Sequence, residues 1–251
     1  SGGLDDIHRH AITKLSHLHF SQSESQRQRV IKLGEAPERV WNTGAPYVDN
    51  ILSTPVMSKE DALQALGLPV DLEYFVILQH SDTYRPEASY NHAKAIFEAL
   101  EEKSEHLIVV YPCSDPGYED VILAIEKYRD HPCCHLFRSI DAFAFLGLVN
   151  GAQAFVGNSS AGIIEAPYLQ VPFINVGRRQ DGRETAANVI SCEGTPQSIA
   201  EAVERSRTEA FQQAMKADIN HFGDGRATER ILDVLRTVEV TPELFRKRIT
   251  Y

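Results

Sequence analysis

Short apolar runs alternate along this chain with amphipathic runs of helical period. Several apolar runs lack the polar alternation of a half-exposed strand, which is the pattern of parallel strands covered on both faces. Between them, 93–101, 118–129 and 142–150 place apolar residues on one helical face. This repetition of strand and helix predicts the α/β class with a doubly wound sheet. The predicted strands are 18–21, 40–43, 74–79, 107–111, 134–137, 154–157, 173–176 and 189–191.

The pattern also predicts two units of unequal size. Between them, residues 54–71 carry two prolines around a short predicted helix, 59–66, with Ser58 as a suitable N-cap. The residues before this connection are too few for a domain of their own and indicate a fragment of a larger α/β domain. The predicted limits are 1–55 for that fragment, 56–236 for a Rossmann-like domain and 237–251 for a tail helix that packs on the first unit.

Composition excludes several classes of function. The chain has 251 residues, of which 43% are hydrophobic and 24% charged, as in ordinary soluble domains. The net charge of −10 argues against a nucleic-acid-binding surface, which would carry a basic stripe. No apolar run is long enough for a membrane helix, and the first residues lack the apolar core of a signal peptide. We therefore expect a cytoplasmic protein with no nucleic-acid or membrane partner.

The cysteines predict reduced thiols. The chain has four, and these are Cys113, Cys133, Cys134 and Cys192. Two of them are adjacent, which is the wrong spacing for a zinc site, and four are too few for a disulfide framework in a chain of this length. The histidines near the start also match no common ligand spacing; these are His8, His10, His17 and His19. The sequence therefore predicts no metal.

The most informative stretch is 154–167, in which an apolar strand leads into a turn of small residues and then a helix. Such a turn lies at the carboxyl end of a strand, where open α/β sheets bind ligands. Ser159 and Ser160 offer hydroxyl donors beside the N–H groups of a helix N-terminus, and both suit a phosphate. Glu165, one turn into the predicted helix, is placed to accept hydrogen bonds from both hydroxyls of a ribose.

Two other interpretations of this turn stay open. Ser160 can be an ordinary N-cap, because serine and asparagine are preferred capping residues. Alternatively, the run Asn-x-Ser-x-Gly resembles the nucleophile elbow of serine hydrolases, in which case Asp181 and His221 would complete a triad. The elbow lacks its first glycine, however.

An arginine-rich loop follows the next strand, at 177–185. In a doubly wound sheet this loop opens on the same edge as the serine turn. Its guanidinium groups, at Arg178, Arg179 and Arg183, can clamp a diphosphate through paired hydrogen bonds. The alternative is a solvated basic loop, which three arginines beside a phosphate turn make less favourable.

These stretches together resemble one known family. The runs 157–167 and 177–183, followed by Asn188-Val189, are similar to the hydrolysing UDP-N-acetylglucosamine 2-epimerases, which include bacterial sialic-acid pathway enzymes. The Gly-Arg-Arg-Gln-x-Gly-Arg run favours the hydrolysing branch, because the other branch carries Thr-Glu-Arg-Pro there. Further similarity lies at 5–15, 78–80 and 222–225, so that the resemblance covers essentially the whole chain.

The resemblance implies a fold and a binding site. The fold is a two-domain, glycosyltransferase-B-like architecture, with a remnant of the N-terminal Rossmann-like domain at 1–55 and a complete nucleotide-binding domain at 56–236. Ser159 and Ser160 would hold phosphate, and Glu165 the ribose. The remaining implied contacts with UDP are His80, Cys113, Arg179 and Arg183.

The resemblance also implies a reaction, elimination followed by hydration. A base removes the C2 proton, UDP departs, and water adds with inverted geometry at C2, giving N-acetylmannosamine and UDP. Asp5 and Asp6 would be catalytic because carboxylates can be tuned as acid and base. His80 would act beside the leaving diphosphate, where it, Arg179 and the serine turn supply positive charge and N–H donors. The family implies a homodimer, a UDP-sugar as substrate, and neither metal nor cofactor.

Two departures from the family bear on these expectations. Most of the N-terminal domain, with its main catalytic carboxylates, has no counterpart in this sequence, so we expect no turnover by this chain alone. Cys113 stands where the family often has a nucleotide-contacting asparagine. A glycosyltransferase of the same layout and a non-catalytic nucleotide-sugar-binding fragment remain as alternatives, although the former is not expected to carry the Arg178-Arg179-Gln180 loop.

Overall fold

The computed structural model describes residues 5–83, 85–218 and 221–250, and of Asp5 only the backbone. In these residues the strands are β1 (His19–Ser21), β2 (Val40–Asn42), β3 (Tyr74–Leu78), β4 (His106–Val110), β5 (Cys134–Phe137), β6 (Ala154–Gly157), β7 (Phe173–Val176) and β8 (Val189–Cys192). The helices are α1 (Asp5–Leu15), α2 (Glu24–Lys32), α3 (Pro46–Ser53), α4 (Lys59–Ala65), α5 (Pro86–Leu100), α6 (Tyr118–Glu126), α7 (Ala142–Gly151), α8 (Ala161–Ile164), α9 (Pro196–Ser206), α10 (Glu209–Ala217), α11 (Ala227–Thr237) and α12 (Pro242–Phe245).

The described chain divides into two compact units. Residues 56–218 form the larger one, and residues 5–55 with 221–250 form the smaller one. The larger unit contains a sheet of order β5-β4-β3-β6-β7-β8, in which every neighbouring pair is parallel. The order reverses between β3 and β6, which is the topology of a doubly wound sheet. The predicted α/β class is therefore confirmed, whereas the domain limits stay a prediction.

The core of the larger unit explains why its strands can be predicted from the sequence. Central β3 and β6 have apolar side chains on both faces, and Phe75, Ile77 and Phe155 are almost wholly buried. Both faces can be apolar because helices cover both sides of a parallel sheet. On α5, the face predicted from the helical period is buried, and it consists of Ala93, Ile96, Phe97 and Leu100.

Element ends differ from the sequence prediction where local signals are weak. Ser58 caps α4 as predicted, with its hydroxyl accepting a hydrogen bond from the Asp61 N–H at 3.1 Å. In contrast, α5 begins at Pro86 rather than at residue 93, since proline is well suited to the first turn of a helix. The helix after the serine turn, α8, has only four residues, so Glu165 follows it rather than lying one turn inside it.

The smaller unit has its own short parallel pair, β1 with β2. Its most buried charge is Glu35, which is 1% exposed and lies 3.0 Å from Lys14, 2.8 Å from Lys247 and 3.1 Å from His19. Because Lys247 belongs to the tail, this cluster joins the tail to the rest of the unit. The tail helix predicted over 237–251 is a single turn, α12. None of the helices that the structure describes is long and apolar enough to cross a membrane.

Candidate functional site

Polar side chains gather where the strands of the large sheet end. His80 follows β3, Cys113 follows β4, Ser159 follows β6 and Arg179 follows β7. Since these strands are parallel, their carboxyl ends share one edge of the sheet. The edge includes the point between β3 and β6 where the strand order reverses, and ligands of doubly wound folds bind at such points.

Asn158 links two of these strand ends. Its side-chain Nδ2 donates to the backbone oxygen of His80 at 2.9 Å, and its Oδ1 accepts from the His80 N–H at 2.7 Å. The asparagine is 1% exposed, so water does not compete for these bonds. This reciprocal pair fixes the serine turn against the residue that carries the imidazole.

Gly157 makes the close approach of β3 and β6 possible. Its φ is +141°, and a Cβ at this position would lie 2.1 Å from the backbone oxygen of Leu78. Only a residue without a side chain fits both the conformation and the space. Gly157 therefore sets how the serine turn leaves the sheet.

The imidazole of His80 is neutral and has a defined tautomer. The backbone N–H of Cys113 donates to its Nδ1 at 3.4 Å, so the ring proton is on Nε2. The pKa of His80 is lowered to about 4, mainly by burial and also by the charge of Arg179, while the charge of Asp115 partly opposes this. At neutral pH His80 thus offers an N–H donor rather than a positive charge.

Arg179 is held across the site by one backbone acceptor and one side-chain acceptor. Its Nη1 donates to the backbone oxygen of Asn158 at 3.2 Å, and its Nη2 lies 3.3 Å from Asp115 Oδ2. Gln180 Nε2 donates to the same Asn158 oxygen at 2.6 Å. By contrast, the side chain of Arg178 is 61% exposed and faces Glu193 at 3.5 Å. The structure therefore brings Arg179 to the site and leaves Arg178 outside it.

The serine turn has little freedom. The Ser159 hydroxyl accepts a hydrogen bond from the Ala161 N–H at 3.3 Å, and Ser159 is 6% exposed. Ser160 occupies the N-cap position of α8, as in the capping interpretation, but its side chain makes no capping hydrogen bond. Its φ of −64° and ψ of −21° are ordinary helical values, unlike the strained turn of a nucleophile elbow.

Glu165 and Arg183 complete the set of expected nucleotide contacts in the larger unit. Both are partly buried. Burial raises the pKa of Glu165 above its usual range. The short helix that precedes Glu165 is itself anchored, because Asn188 Nδ2 donates to the backbone oxygens of Gly162 and Val171, each at 3.1 Å.

The catalytic carboxylates expected from the sequence belong to the other unit. Asp6 lies in the first turn of α1, and the side chain of Asp5 lies outside the described residues. His221 of the possible triad also belongs to the smaller unit, whereas Ser160 and Asp181 belong to the larger.

Sequence reasoning missed two residues that hydrogen-bond within the site, Asp115 and Asn158. It also missed Gln79, which precedes His80. Gln79 is 2% exposed, and neither atom of its amide has a hydrogen-bond partner among the described residues. Each follows the carboxyl end of a strand. A search of the sequence for every polar residue in such a position would therefore have found them.

One group of side chains could hold a metal ion. The ligand atoms of His80, Cys113 and Asp115 all lie within 4.8 Å of one another. The prediction of no metal rested on the spacing of histidines and cysteines along the sequence. The three residues of this group instead come together in space, because they follow the ends of two neighbouring strands. Within the described residues the fold thus provides a ligand set that spacing alone did not reveal.

Comparison with known sequences identifies relatives over almost the full chain. Residues 1–236 match the family described as UDP-N-acetylglucosamine 2-epimerase. The chain is 30% identical over 251 residues to the UDP-N,N'-diacetylbacillosamine 2-epimerase (hydrolyzing) of Legionella pneumophila, covering 100% of this chain and 66% of that protein. It is 33% identical over 240 residues to the UDP-N-acetylglucosamine 2-epimerase of Neisseria meningitidis, covering 95% and 63%. The chain therefore spans just under two thirds of the length of these relatives.

Solved structures show the same fold. S. aureus MnaA in a co-structure with UDP has a TM-score of 0.72 at 20% identity, covering 92% of this chain and 61% of that one. The UDP-GlcNAc 2-epimerase of Neisseria meningitidis bound to UDP-GlcNAc also has a TM-score of 0.72, at 18% identity, covering 90% and 63%. At these identities the likeness shows the fold alone, and it confirms the predicted fold class.

Proposed function

Because the chain belongs to the UDP-N-acetylglucosamine 2-epimerase family, we propose that its larger unit binds the UDP part of a UDP-N-acetylated sugar. The observation that carries this proposal is the convergence of His80, Ser159 and Arg179 from three strand ends. Hydrogen bonds through Asn158 connect both His80 and Arg179 to the serine turn. A site that offers N–H donors, hydroxyls and one guanidinium suits a diphosphate.

Each side chain has a chemical role in this proposal. Ser159 and Ser160 donate to phosphate oxygens, and Arg179 neutralises part of the diphosphate charge. His80 donates from Nε2. Glu165 accepts from the ribose hydroxyls, an interaction that favours its ionised form against the effect of burial. The nucleotide is also contacted at two further positions, Cys113 and Arg183.

The proposed reaction is hydrolysing 2-epimerisation. The names of relatives support the hydrolysing branch. One of these relatives is the UDP-N,N'-diacetylbacillosamine 2-epimerase (hydrolyzing) of Legionella pneumophila. A base takes the C2 proton, the C1–O bond to UDP breaks, and the resulting glycal adds water at C1 and a proton at C2. The carboxylates proposed for these proton transfers are Asp5 and Asp6. His80 and Arg179 stabilise the leaving UDP, and the sugar product is released with inverted C2.

Titration calorimetry with UDP tests the binding proposal. Glu165→Ala removes the ribose acceptor, and we expect UDP affinity to fall at least about tenfold, since a hydrogen bond to a charged group contributes about 1.5–3 kcal/mol. Glu201→Ala, at an exposed position on α9, is the matched control and should bind UDP like the unmodified protein. Equal affinity of both variants would contradict the role of Glu165.

Turnover is a separate proposal, because the chain spans 66% and 63% of the relatives' lengths. We expect UDP binding by this chain without release of N-acetylmannosamine from UDP-N-acetylglucosamine. Release of the product by the purified chain would contradict this. A chain extended to the length of its relatives that binds UDP but still lacks turnover would favour a non-catalytic nucleotide-sugar-binding protein.

A further inference from the structure

We propose that His80, Cys113 and Asp115 form a binding site for a single thiophilic divalent cation of the Zn²⁺ class. Their ligand atoms lie within 4.8 Å of one another. Cys113 Sγ is 3.2 Å from His80 Nδ1. Cys113 is exposed, so an ion reaches it from solvent.

The distances suit a tetrahedral ion. With Zn–N near 2.0 Å and Zn–S near 2.3 Å, tetrahedral angles separate the nitrogen and sulfur by roughly 3.5 Å. The observed separation of 3.2 Å is within a small side-chain rotation of that value. The ion would replace the long hydrogen bond, 3.4 Å, that the Cys113 N–H makes to the same nitrogen.

The donor set is also appropriate. Imidazole nitrogen, thiolate and carboxylate are the three ligand types that Zn²⁺ takes in proteins, and three protein ligands leave a fourth position open. A thiolate and a carboxylate together neutralise the charge of the ion. Because Cys113 loses its proton when it becomes a ligand, binding releases one proton to solvent.

Arg179 competes with the cation for the carboxylate. Its Nη2 lies 3.3 Å from Asp115 Oδ2 in a pair whose carboxylate is 37% exposed. A carboxylate has a second oxygen, and an exposed ion pair contributes little free energy. Ion binding therefore weakens the hold on Arg179 and engages His80. The ion binds Nδ1 of His80 and so leaves Nε2 free, but it occupies Cys113, which is a proposed nucleotide contact. The ion and UDP should therefore compete for Cys113, and this step rests on the proposed function.

The experiment is a Cd²⁺ titration of the nucleotide-free protein, followed by the ultraviolet charge-transfer band of a cadmium thiolate. Cys133→Ser protein serves as the background, because Cys133, Cys134 and His131 together offer a second group of ligands, in which Cys134 Sγ lies 3.7 Å from His131 Nδ1. Without Cys133 this group is reduced to one buried thiol and one imidazole. We expect one Cd²⁺ per chain. Adding Cys113→Ser should abolish the band, and adding His80→Asn should weaken binding at least about tenfold.

Two results overturn the site. One is no thiolate band in the Cys133→Ser protein, and the other is a band that survives Cys113→Ser. Thermal unfolding of each variant shows whether it is folded, and Zn²⁺ calorimetry on His80→Asn gives a second readout that does not depend on a thiol band.

A final arm separates this proposal from the nucleotide site. UDP added to the Cd²⁺-loaded protein should remove the band. If UDP binds the metal-free protein but leaves the band unchanged, mutual exclusion is wrong. If UDP does not bind the metal-free protein, the proposed function fails while the cation result stands on its own.

Discussion

At the residue scale, the site depends on side chains that hold other groups in place. The Asn158 amide binds both backbone polar groups of His80, and the Asn158 backbone oxygen accepts from Arg179 and Gln180. Asn158 thus connects the imidazole, the guanidinium and the serine turn. None of these bonds requires Asn158 to touch a ligand.

Replacement of Asn158 by alanine should affect both stability and binding. It leaves the N–H and backbone oxygen of His80 without their partner, and an unsatisfied buried polar group costs about 1–3 kcal/mol. We expect Asn158→Ala to lower the free energy of unfolding by about 2 kcal/mol and UDP affinity about tenfold. Urea denaturation and calorimetry measure these two effects. The control is Asn150→Ala at an exposed position on α7; equal loss in both variants would refute the anchoring role.

The sequence predicted some of these residues and not others for a physical reason. His80 and Arg179 were found because a strand precedes each and a family motif contains each. The contacts of Asn158 with His80 and of Asp115 with Arg179 span 78 and 64 positions. Such pairs can be predicted only when the order of the strands in the sheet is known, and the local sequence pattern does not contain that order.

At the element scale, the strands followed directly from apolar runs. Buried parallel strands need apolar residues on both faces, so their sequence signal is strong. The ends of helices are predicted less well from local sequence, and α8 shows why. Its four residues are fixed by contacts across the sheet: Gly162 lies so close to β7 that a Cβ would meet the Phe173 ring at 2.2 Å.

The packing of β3 against β6 makes a sharp prediction. Gly157→Ala forces a Cβ into the Leu78 backbone oxygen at 2.1 Å and an unfavourable φ of +141°. Gly67 also has a positive φ, +70°, but this value lies in the left-handed helical region, and a Cβ there would meet nothing within 4 Å. We expect Gly67→Ala to lower the free energy of unfolding by about 1–2 kcal/mol and Gly157→Ala to lower it by clearly more. Similar losses in the two variants, measured by urea denaturation, would show that the strands can separate easily.

At the scale of the whole molecule, partly buried histidines link stability to pH. Burial lowers the pKa of His92 and of His135, and neighbouring His106 lowers that of His135 further. These side chains take up protons near pH 6.5 when unfolded but only at lower pH when folded. The unfolded state therefore binds more protons below pH 6.5, and stability falls as pH decreases.

Denaturation at about pH 7.5 and at about pH 5.5 measures this effect. We expect a lower free energy of unfolding at the acidic value, and a smaller decrease in His135→Gln, which cannot take up the proton. A variant at the exposed His8, His8→Gln, is the control and should show the full decrease. If His135→Gln shows the same decrease as the unmodified protein, His135 does not contribute.

The central claim is that the carboxyl edge of the large sheet binds UDP, and two adjacent arginines test it most directly. Arg179 lies in the site and Arg178 faces solvent, so their alanine variants remove the same charge from neighbouring positions. UDP calorimetry should show affinity about thirtyfold weaker in Arg179→Ala, equivalent to about 2 kcal/mol, and little change in Arg178→Ala. Equal weakening in both would mean that net charge alone attracts the nucleotide, and unchanged binding in Arg179→Ala would place UDP elsewhere.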